Sequence, residues 1–330
     1  MKKMILVCTI ALLCAMLVMP TASAADVIVW EYTGANNPSR AERLPDGNTL
    51  IADSGNDRVI EVAPDGTIVW EYTGGWPQAA HRLSNGNTLI SDFDEDFYPF
   101  VKEVAPDGTI VWQYSTGLNN PIDADRLPDG NTLITDWGDE YPFVIEVAPN
   151  GTIVWEYSTG LFWPSEADRL PNGNTLISDT DNSRVIEVAP DGTIVWQYSG
   201  ANAFDADRLP DGNTLIADVA SPRFIEVAPD GTIVWEYITG ELDFPISVER
   251  LSNGNTLLVD LYLNEAGLVF EVGTPIPADW NLTLTGELTD TINRTSFEEG
   301  AACHNASWND GTNTWAGIPL WRLVGWVDDL

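Results

Sequence analysis

Two stretches of the chain decide its fold, RLPDGNTLIAD at residues 43–53 and PDGTIVWEY at residues 64–72. Variants of the first stretch recur along the chain at intervals of 39 to 44 residues. The arginines that open them are Arg43, Arg82, Arg126, Arg169, Arg208 and Arg250. A repeat of this length is typical of propeller blades or of helical solenoids.

The residues inside each repeat favour blades over helices. Each repeat is rich in Val, Ile, Thr, Trp and Tyr and is interrupted by Asp-Gly or Asn-Gly turns. In the first repeat we predict four short strands, at residues 41–44, 48–53, 58–63 and 67–72. Four antiparallel strands per repeat make a propeller blade, whereas a helical solenoid needs longer segments at helical spacing. The chain is therefore expected to be all-β.

The last repeat indicates how the ring closes. It contains three predicted strands between Val248 and Val272, and Gly-Thr-Pro-Ile-Pro then replaces the fourth. The missing sequence stands near the start of the chain, as VIVWEY at residues 27–32. Pairing it with the last repeat would remove the exposed strand edges of an open array. We predict a six-bladed β-propeller over residues 25–273, closed by its N-terminal strand.

The N-terminus has the pattern of a secretory signal peptide over residues 1–24. Lys2 and Lys3 precede an apolar run at residues 5–19, and small residues at 21–24 offer a cleavage site. We expect a secreted, extracellular or cell-surface protein without a membrane span after cleavage. Of the three cysteines, only Cys303 would then remain, so no intramolecular disulfide is expected.

The charge of the chain limits its partners. The formal net charge is −35, and Lys102 is the only lysine beyond the signal peptide. Such a field repels nucleic acid and anionic lipid, and it attracts cations. Solubility in an ion-rich medium is one interpretation, and a bound cation such as calcium is the other. The acidic clusters at residues 92–96 and 179–181 lack the central glycine and final acidic residue of a calcium loop. No other cofactor is expected.

The loops predict one variable face and one uniform face. The Pro-Asp-Gly turns repeat almost unchanged on one face, whereas the other loops differ from blade to blade and carry aromatic residues. The main candidates for ligand contact are Trp76, Phe97, Tyr98, Trp137, Tyr141, Phe162, Trp163, Phe204 and Phe244, with further rings such as Tyr262. Aromatic rings beside carboxylates suit a glycan, an aryl compound or a cationic ligand. Ordinary packing of the blade tops is the alternative.

The innermost strands predict a polar channel. One matched position per blade holds Glu42, His81, Asp125, Asp168, Asp207 and Glu249, and an arginine follows each. This ring could hold a cation or a chain of water molecules, or its carboxylates could pair with the arginines across blades. His81 could act as a base or nucleophile, or it could be structural.

Two other positions recur once per blade and are predicted to be structural. The tryptophans are Trp30, Trp70, Trp112, Trp155, Trp196 and Trp235, which we expect to pack between blades. The aspartates that end each second strand are Asp53, Asp92, Asp136, Asp179, Asp218 and Asp260, which we expect to accept hydrogen bonds in the turns.

The repeats resemble those of known propeller families. LPNGNTLI at residues 170–177, followed by GTIVWQY at residues 192–198, is similar to the repeats of arylsulfotransferases. IADSGNDRV at residues 51–59 looks like an NHL repeat, and PDGTIVW is similar to quinoprotein (PQQ-like) blades. The first resemblance implies sulfate transfer between aryl compounds through a channel histidine. The family's histidine positions hold Ser39, Gln78, Ile122 and Ser165 here, which leaves His81 as the candidate.

The segment 274–330 differs from the repeats. It carries glycosylation-type sequons at Asn281, Asn293 and Asn305, in addition to one at Asn150. Its Trp-Ala-Gly-Ile-Pro-Leu-Trp run at residues 315–321 resembles the start of a sulfite-oxidase-type molybdopterin-binding domain, which implies molybdenum ligation by Cys303. Because only the first part of that domain is matched, we expect no molybdopterin unless another chain completes the pocket. The alternative is a short β-rich appendage with a buried cysteine.

Three functions follow from these observations. The leading hypothesis is a non-catalytic binding or surface scaffold protein that uses the aromatic face. The second is an arylsulfotransferase-like enzyme. The third is a fragment of an extracellular molybdopterin oxidoreductase.

Overall fold

A computed structural model of the chain describes residues 26–94, 96–138, 141–263 and 266–273, together with the backbone of four short strands beyond them. The predicted signal peptide and Cys303 lie outside the described residues. No helix among the described residues is long and apolar enough to cross a membrane.

The described strands form six four-stranded antiparallel sheets and two hairpins. The first strand, β1 (Val27–Tyr32), precedes the repeats. Blade 1 contains β2 (Pro38–Arg43), β3 (Thr49–Asp53), β4 (Arg58–Val62) and β5 (Ile68–Thr73). Blade 2 contains β6 (Ala79–Arg82), β7 (Thr88–Phe93), β8 (Pro99–Val104) and β9 (Ile110–Tyr114). Blade 3 contains β10 (Pro121–Arg126), β11 (Thr132–Asp136), β12 (Phe143–Val147) and β13 (Ile153–Tyr157).

The second half of the ring repeats this order. Blade 4 contains β14 (Pro164–Arg169), β15 (Thr175–Asp179), β16 (Arg184–Val188) and β17 (Ile194–Ser199). Blade 5 contains β18 (Ala203–Arg208), β19 (Thr214–Asp218), β20 (Arg223–Val227) and β21 (Ile233–Tyr237). Blade 6 contains β22 (Pro245–Arg250), β23 (Thr256–Asp260) and β24 (Leu268–Gly273). The hairpins are β25 (Asn281–Thr285) with β26 (Thr289–Asn293), and β27 (Ser307–Asn309) with β28 (Thr314–Ala316). Short 3₁₀ turns at Ser54–Asn56 and Thr180–Asn182 occupy equivalent loops of blades 1 and 4.

The N-terminal strand closes the ring as predicted. β1 pairs antiparallel with β24, with Val27 opposite Gly273 and Tyr32 opposite Val269. The sheet order β1-β24-β23-β22 gives blade 6 its fourth strand from the other end of the chain. The prediction of an all-β, six-bladed β-propeller is confirmed.

Apolar side chains of the middle strands hold neighbouring blades together. Leu50 and Val59 of blade 1, for example, are buried in one cluster with Ile90 and Val104 of blade 2. Removing these side chains from water is the dominant stabilising contribution.

A repeated polar contact reinforces the blade interfaces. Arg82 of blade 2 lies 4.9 Å from the Trp70 ring centroid of blade 1 and 2.8 Å from Glu61 of the same blade. The Trp70 indole donates a hydrogen bond to the carbonyl of Pro106 in blade 2. All six arginines that follow the channel position make this contact with the preceding blade. The tryptophans therefore pack between blades as predicted. The hypothesis that these arginines neutralise the channel carboxylates is wrong, because they pair with third-strand glutamates instead.

The first strand of blade 1 begins earlier than predicted. It covers Pro38–Arg43 rather than residues 41–44, so Ser39 and Arg40 belong to the strand. The pairing register shifts between Pro38 and Arg40, and five of the six blades show this irregularity. A bulge redirects side chains at the end of a strand. The residues at these bulges are Ser39, Ile122, Ser165, Phe204 and Ile246, and all of them line one cavity.

Candidate functional site

The strand-ending aspartates position the loops at the variable mouth of the ring. Asp179 accepts a hydrogen bond from the backbone N–H of Phe162 at 2.8 Å, and Asp260 accepts one from Phe244 at 3.2 Å. Asp136 accepts hydrogen bonds from Asn119 and from Gly138. The predicted role of these aspartates as acceptors is confirmed. These hydrogen bonds fix the loops that carry the aromatic side chains to the ends of buried strands.

The loops surround a cavity of about 740 Å³, which we call the main cavity. Its size lies within the range of small-molecule sites. Its aromatic walls are Trp76, Trp137, Trp163, Phe204, Phe244 and Tyr262. The rings are packed against one another, with 5.0 Å between the centroids of Trp137 and Trp163 and 6.1 Å between those of Phe204 and Phe244. The walls therefore carry three groups of aromatic rings, which are Trp137 with Trp163, Phe204 with Phe244 and Tyr262, and Trp76 with Phe97.

A second cavity of about 390 Å³ adjoins the main cavity. The two share the side chains of Trp76, Gln78, Ile122 and Trp137. Phe97 lines the second cavity and meets Trp76 edge to face, with 6.2 Å between the ring centroids. We use the name side cavity for it below.

The predicted aromatic residues divide into two groups. Trp76, Trp137, Trp163, Phe204 and Phe244 line the main cavity, and Phe97 lines the side cavity. The rings of Tyr98, Tyr141 and Phe162 are exposed and line neither cavity. The loop pattern therefore predicted the aromatic face but not which of its rings converge.

Several residues of the cavity walls have a strained backbone. The described non-glycine residues with positive φ are Asn37, Asp57, Phe97, Trp163 and Ser183, and all but Ser183 line a cavity. For a bulky side chain this conformation is a genuine outlier, as at Trp163 with φ of 52° and Phe97 with φ of 62°. Strained residues of this kind concentrate at binding sites, where the surrounding structure holds them.

The floor of the main cavity is Arg40, which the sequence analysis missed. Its side chain is only 14% exposed, and its guanidinium lies 3.4 Å from Asp205 and 3.7 Å from Asp123. Arg40, Asp123, Glu166 and Asp205 occupy the same strand position in four blades, and we call this level the upper ring. The available signal was strand alternation, because Arg40 stands two residues before Glu42 and faces the same side.

The predicted channel residues form a second ring, which we call the lower ring. Each of them stands two residues after the upper-ring position of its strand, further from the mouth. The lower ring comprises Glu42, His81, Asp125, Asp168, Asp207 and Glu249. His81 is the only imidazole among the described residues of this ring. Its Nε2 lies 3.2 Å from Asp123, and its Nδ1 lies 3.7 Å from Asp125 and 3.9 Å from Glu42.

Burial and neighbouring charges shift the pKa values of the ionisable side chains in both rings. Burial would lower the pKa of His81, but Asp125 and the hydrogen bond with Asp123 outweigh it and raise the pKa to about 9. Burial raises the pKa of Asp168 and of Glu249 to about 7. It also raises the pKa of Glu166 and of Asp207 well above the usual carboxyl range, with help from neighbouring carboxylates.

These protonation states limit the chemistry of the rings. At neutral pH His81 is an imidazolium among carboxylates, and this form is neither a base nor a nucleophile. Within the described part of the chain, no group of three His, Cys, Asp or Glu side chains is arranged to hold a metal ion. Arg40 and His81 instead supply the positive charge that the carboxylates require.

Comparison with known proteins identifies the fold alone. No protein-family model matches the chain, and no curated protein is significantly similar to it. A structure of a Bacteroides caccae protein of unknown function is 24% identical, with 64% of this chain and 81% of that chain covered and a TM-score of 0.54. An inactive variant of Staphylococcus aureus virginiamycin B lyase with quinupristin is 13% identical, with coverages of 82% and 96% and a TM-score of 0.53. The calcium-binding protein regucalcin from Agrobacterium tumefaciens is 14% identical, with coverages of 75% and 94% and a TM-score of 0.58.

Proposed function

We propose that this protein is an extracellular binding protein that takes a small ligand with a flat apolar face into the main cavity. The observation that carries this proposal is the set of six aromatic side chains that wall a cavity of about 740 Å³. Flat rings bury a large area of ligand without much loss of side-chain entropy. The strained backbone at Trp163 supports the same function, because bulky residues in this conformation concentrate at binding sites.

The hydroxyl groups of the cavity support binding rather than catalysis. Ser39 and Ser54 lie 2.7 Å apart, as do Ser165 and Thr180, and each pair also donates to backbone carbonyls. A nucleophilic hydroxyl needs a base within hydrogen-bond reach. Neither pair has a histidine, lysine or carboxylate partner among the described residues.

The enzymatic and cation-binding hypotheses receive less support. His81 lies in the lower ring as an imidazolium, which does not suit the histidine chemistry that the arylsulfotransferase resemblance implies. A calcium ion in the channel would compete with the positive charges of Arg40 and His81. Cys303, on which the molybdopterin hypothesis depends, lies outside the described residues. Secretion and attachment to a cell-surface partner stay predictions of the N-terminal sequence.

The proposal is tested by ligand binding to the mature protein. Neutral sugars, naphthols and quaternary ammonium ions are screened by thermal shift and by quenching of tryptophan fluorescence. Binding to the native state alone raises the melting temperature. For any probe that binds, Trp163→Ala and Trp137→Ala should weaken affinity by about tenfold or more.

Tyr141→Ala is the matched control. Tyr141 is 75% exposed and lines neither cavity, so its loss should leave affinity unchanged. If Trp163→Ala and Trp137→Ala bind every probe as the unaltered protein does, the main cavity is not the binding site and the proposal is wrong.

A further inference from the structure

The main and side cavities form one elongated site. Trp76 and Trp137 stand at their common boundary, and Gln78 and Ile122 complete the shared wall. A ligand of one ring that occupies the main cavity leaves the side cavity empty. Two separate aromatic pairs line this site, Trp137 with Trp163 in the main cavity and Trp76 with Phe97 at the side cavity. The shape therefore suits a ligand with at least two ring units.

Hydrogen-bonding side chains line this site together with the rings. The amides of Asn119 and Asn120 line the side cavity, and that of Asn37 lines the main cavity. Among the described residues none of these three side-chain amides has a hydrogen-bond partner. The hydrogen bonds of these residues run through the backbone instead, from the N–H groups of Asn119 and Asn120 to Asp136 and from the N–H of Asn37 to the carbonyl of Ala266. Amides can both donate and accept. This combination fits molecules that have an apolar face and hydroxyl groups around their edge.

The charges around the site repel anionic ligands, and the floor of the main cavity presents a guanidinium to any ligand that reaches it. The protein as a whole is strongly acidic, and Asp57 and Asp181 lie in the lining of the main cavity, so an anion is repelled. A cation that reached the floor would meet the guanidinium of Arg40, which holds its proton firmly because Asp123 and Asp205 outweigh the effect of burial on its pKa. A neutral ligand avoids both costs, and an oxygen of its own can accept a hydrogen bond from Arg40.

We infer that the ligand is a neutral oligosaccharide of two or more sugar rings. One ring packs on Trp137 and Trp163 above Arg40, and the next packs on the surface that Trp76 and Phe97 form together, beside Asn119. The C–H face of a sugar covers an aromatic ring while its hydroxyls reach the amides. This inference rests on the proposed function and specifies its ligand class.

The test uses oligosaccharides of glucose, galactose, mannose and N-acetylglucosamine, each from one to six rings, with the mature protein. Affinities are measured by calorimetry. We expect at least one neutral series to gain tenfold or more in affinity between one ring and three. We also expect less than a twofold change between about 50 and 500 mM NaCl, because screening acts on charges and the ligand has none.

Two neighbouring variants locate the second sugar ring. Phe97→Ala should abolish the gain with chain length and leave binding of one ring unchanged. Tyr98→Ala is the control, because Tyr98 is 66% exposed beside Phe97 at 67% but lines neither cavity. Equal chain-length dependence in Phe97→Ala and the unaltered protein would overturn the inference.

Other outcomes separate the inference from the proposed function. If 1-naphthol binds and loses affinity in Trp163→Ala, but no neutral oligosaccharide binds more tightly than its monosaccharide, the cavity is a ligand site and the oligosaccharide inference is wrong. The inference is also wrong if galacturonate or glucosamine oligomers bind more tightly than every neutral series. If no sugar, naphthol or ammonium probe binds, both fail.

Discussion

Arginine residues have two different roles in this propeller, at the interfaces between blades and in the wall of the main cavity. Arg169 is representative of the interface arginines, with its guanidinium 4.9 Å from the Trp155 ring centroid and 2.8 Å from Glu146. It also donates a hydrogen bond to the carbonyl of Gly173. Among the residues that the structure describes, Arg40 has no such aromatic partner, and it forms the floor of the main cavity instead. A planar guanidinium can stack and donate in several directions at once, which a lysine ammonium cannot.

Substitution of Arg169 tests this difference. Arg169→Ala removes the cationic partner of the mostly buried Glu146, which keeps its hydrogen bond from the Asn131 amide, and we expect a loss of about 2–3 kcal/mol in the free energy of unfolding. Arg169→Lys keeps the charge but loses the stacked plane, so an intermediate loss is expected. Urea unfolding measures both. Gln113→Ala, at an exposed outer-strand position, should stay within about 0.5 kcal/mol. Equal stability of Arg169→Lys and the unaltered protein would show that stacking is unimportant.

At the residue scale, repetition determined what could be predicted. Trp155 and Asp179 occur in the same place in every blade, so their structural roles followed from the sequence. Arg40 occurs once, and it contacts Asp205 across 165 residues. Contacts between distant, non-repeated residues require the closed ring and were not predictable.

At the scale of elements, β1 is the strand on which closure depends. It covers the edge of β24, and Trp30 makes the interface contact between blades 6 and 1 through Arg43 and the carbonyl of Pro64. Just before it, Asp26 accepts the indole hydrogen bond of Trp235, where the other blades use a proline carbonyl. The prediction of six blades from the sequence succeeded because this element is a displaced copy of a repeated strand.

A chain that begins at Thr33 tests the closure. It lacks β1, exposes the backbone edge of β24 and loses the contacts of Trp30, so we expect a lower melting temperature and self-association. Addition of the peptide DVIVWEY, which corresponds to residues 26–32, should restore both properties. The same peptide with alanine in place of Trp30 should restore them less. A truncated chain that melts at the same temperature as the mature protein would contradict this role of β1.

At the scale of the whole molecule, several carboxyl groups of the channel have raised pKa values and bind protons in the folded state. Asp125, with a pKa of about 6, and Asp168 and Glu249, with pKa values of about 7, stay protonated in the folded state at pH values where the unfolded chain has ionised them. The folded state therefore binds more protons than the unfolded state, and stability falls as pH rises from about 4 to 7. His81 has the same sign, since its stabilisation is complete below its ordinary pKa and is lost as pH rises through about 9.

The lowered pKa of Asp123 acts in the opposite direction, because burial is outweighed there by Arg40 and His81. Its contribution is present above the ordinary carboxyl pKa and is lost as pH falls below it. Stability should therefore be greatest at about pH 4–5, with a fall on both sides.

Calorimetric melting between pH 3 and pH 10 tests this balance. We expect the melting temperature to fall by about 5 °C or more between pH 5 and pH 9, because the carboxyls of the channel must ionise against burial and against one another. Repulsion among surface carboxylates would give a similar trend, but 0.5 M NaCl screens surface charges far more than buried ones. The fall should therefore persist in high salt.

Asp168→Asn, which cannot ionise, should reduce the fall below pH 7, and His81→Gln should reduce it above pH 7. A melting temperature that rises from pH 5 to pH 8 would contradict the proton balance. A melting temperature that does not change with pH in 0.5 M NaCl would show that the fall comes from repulsion among surface carboxylates.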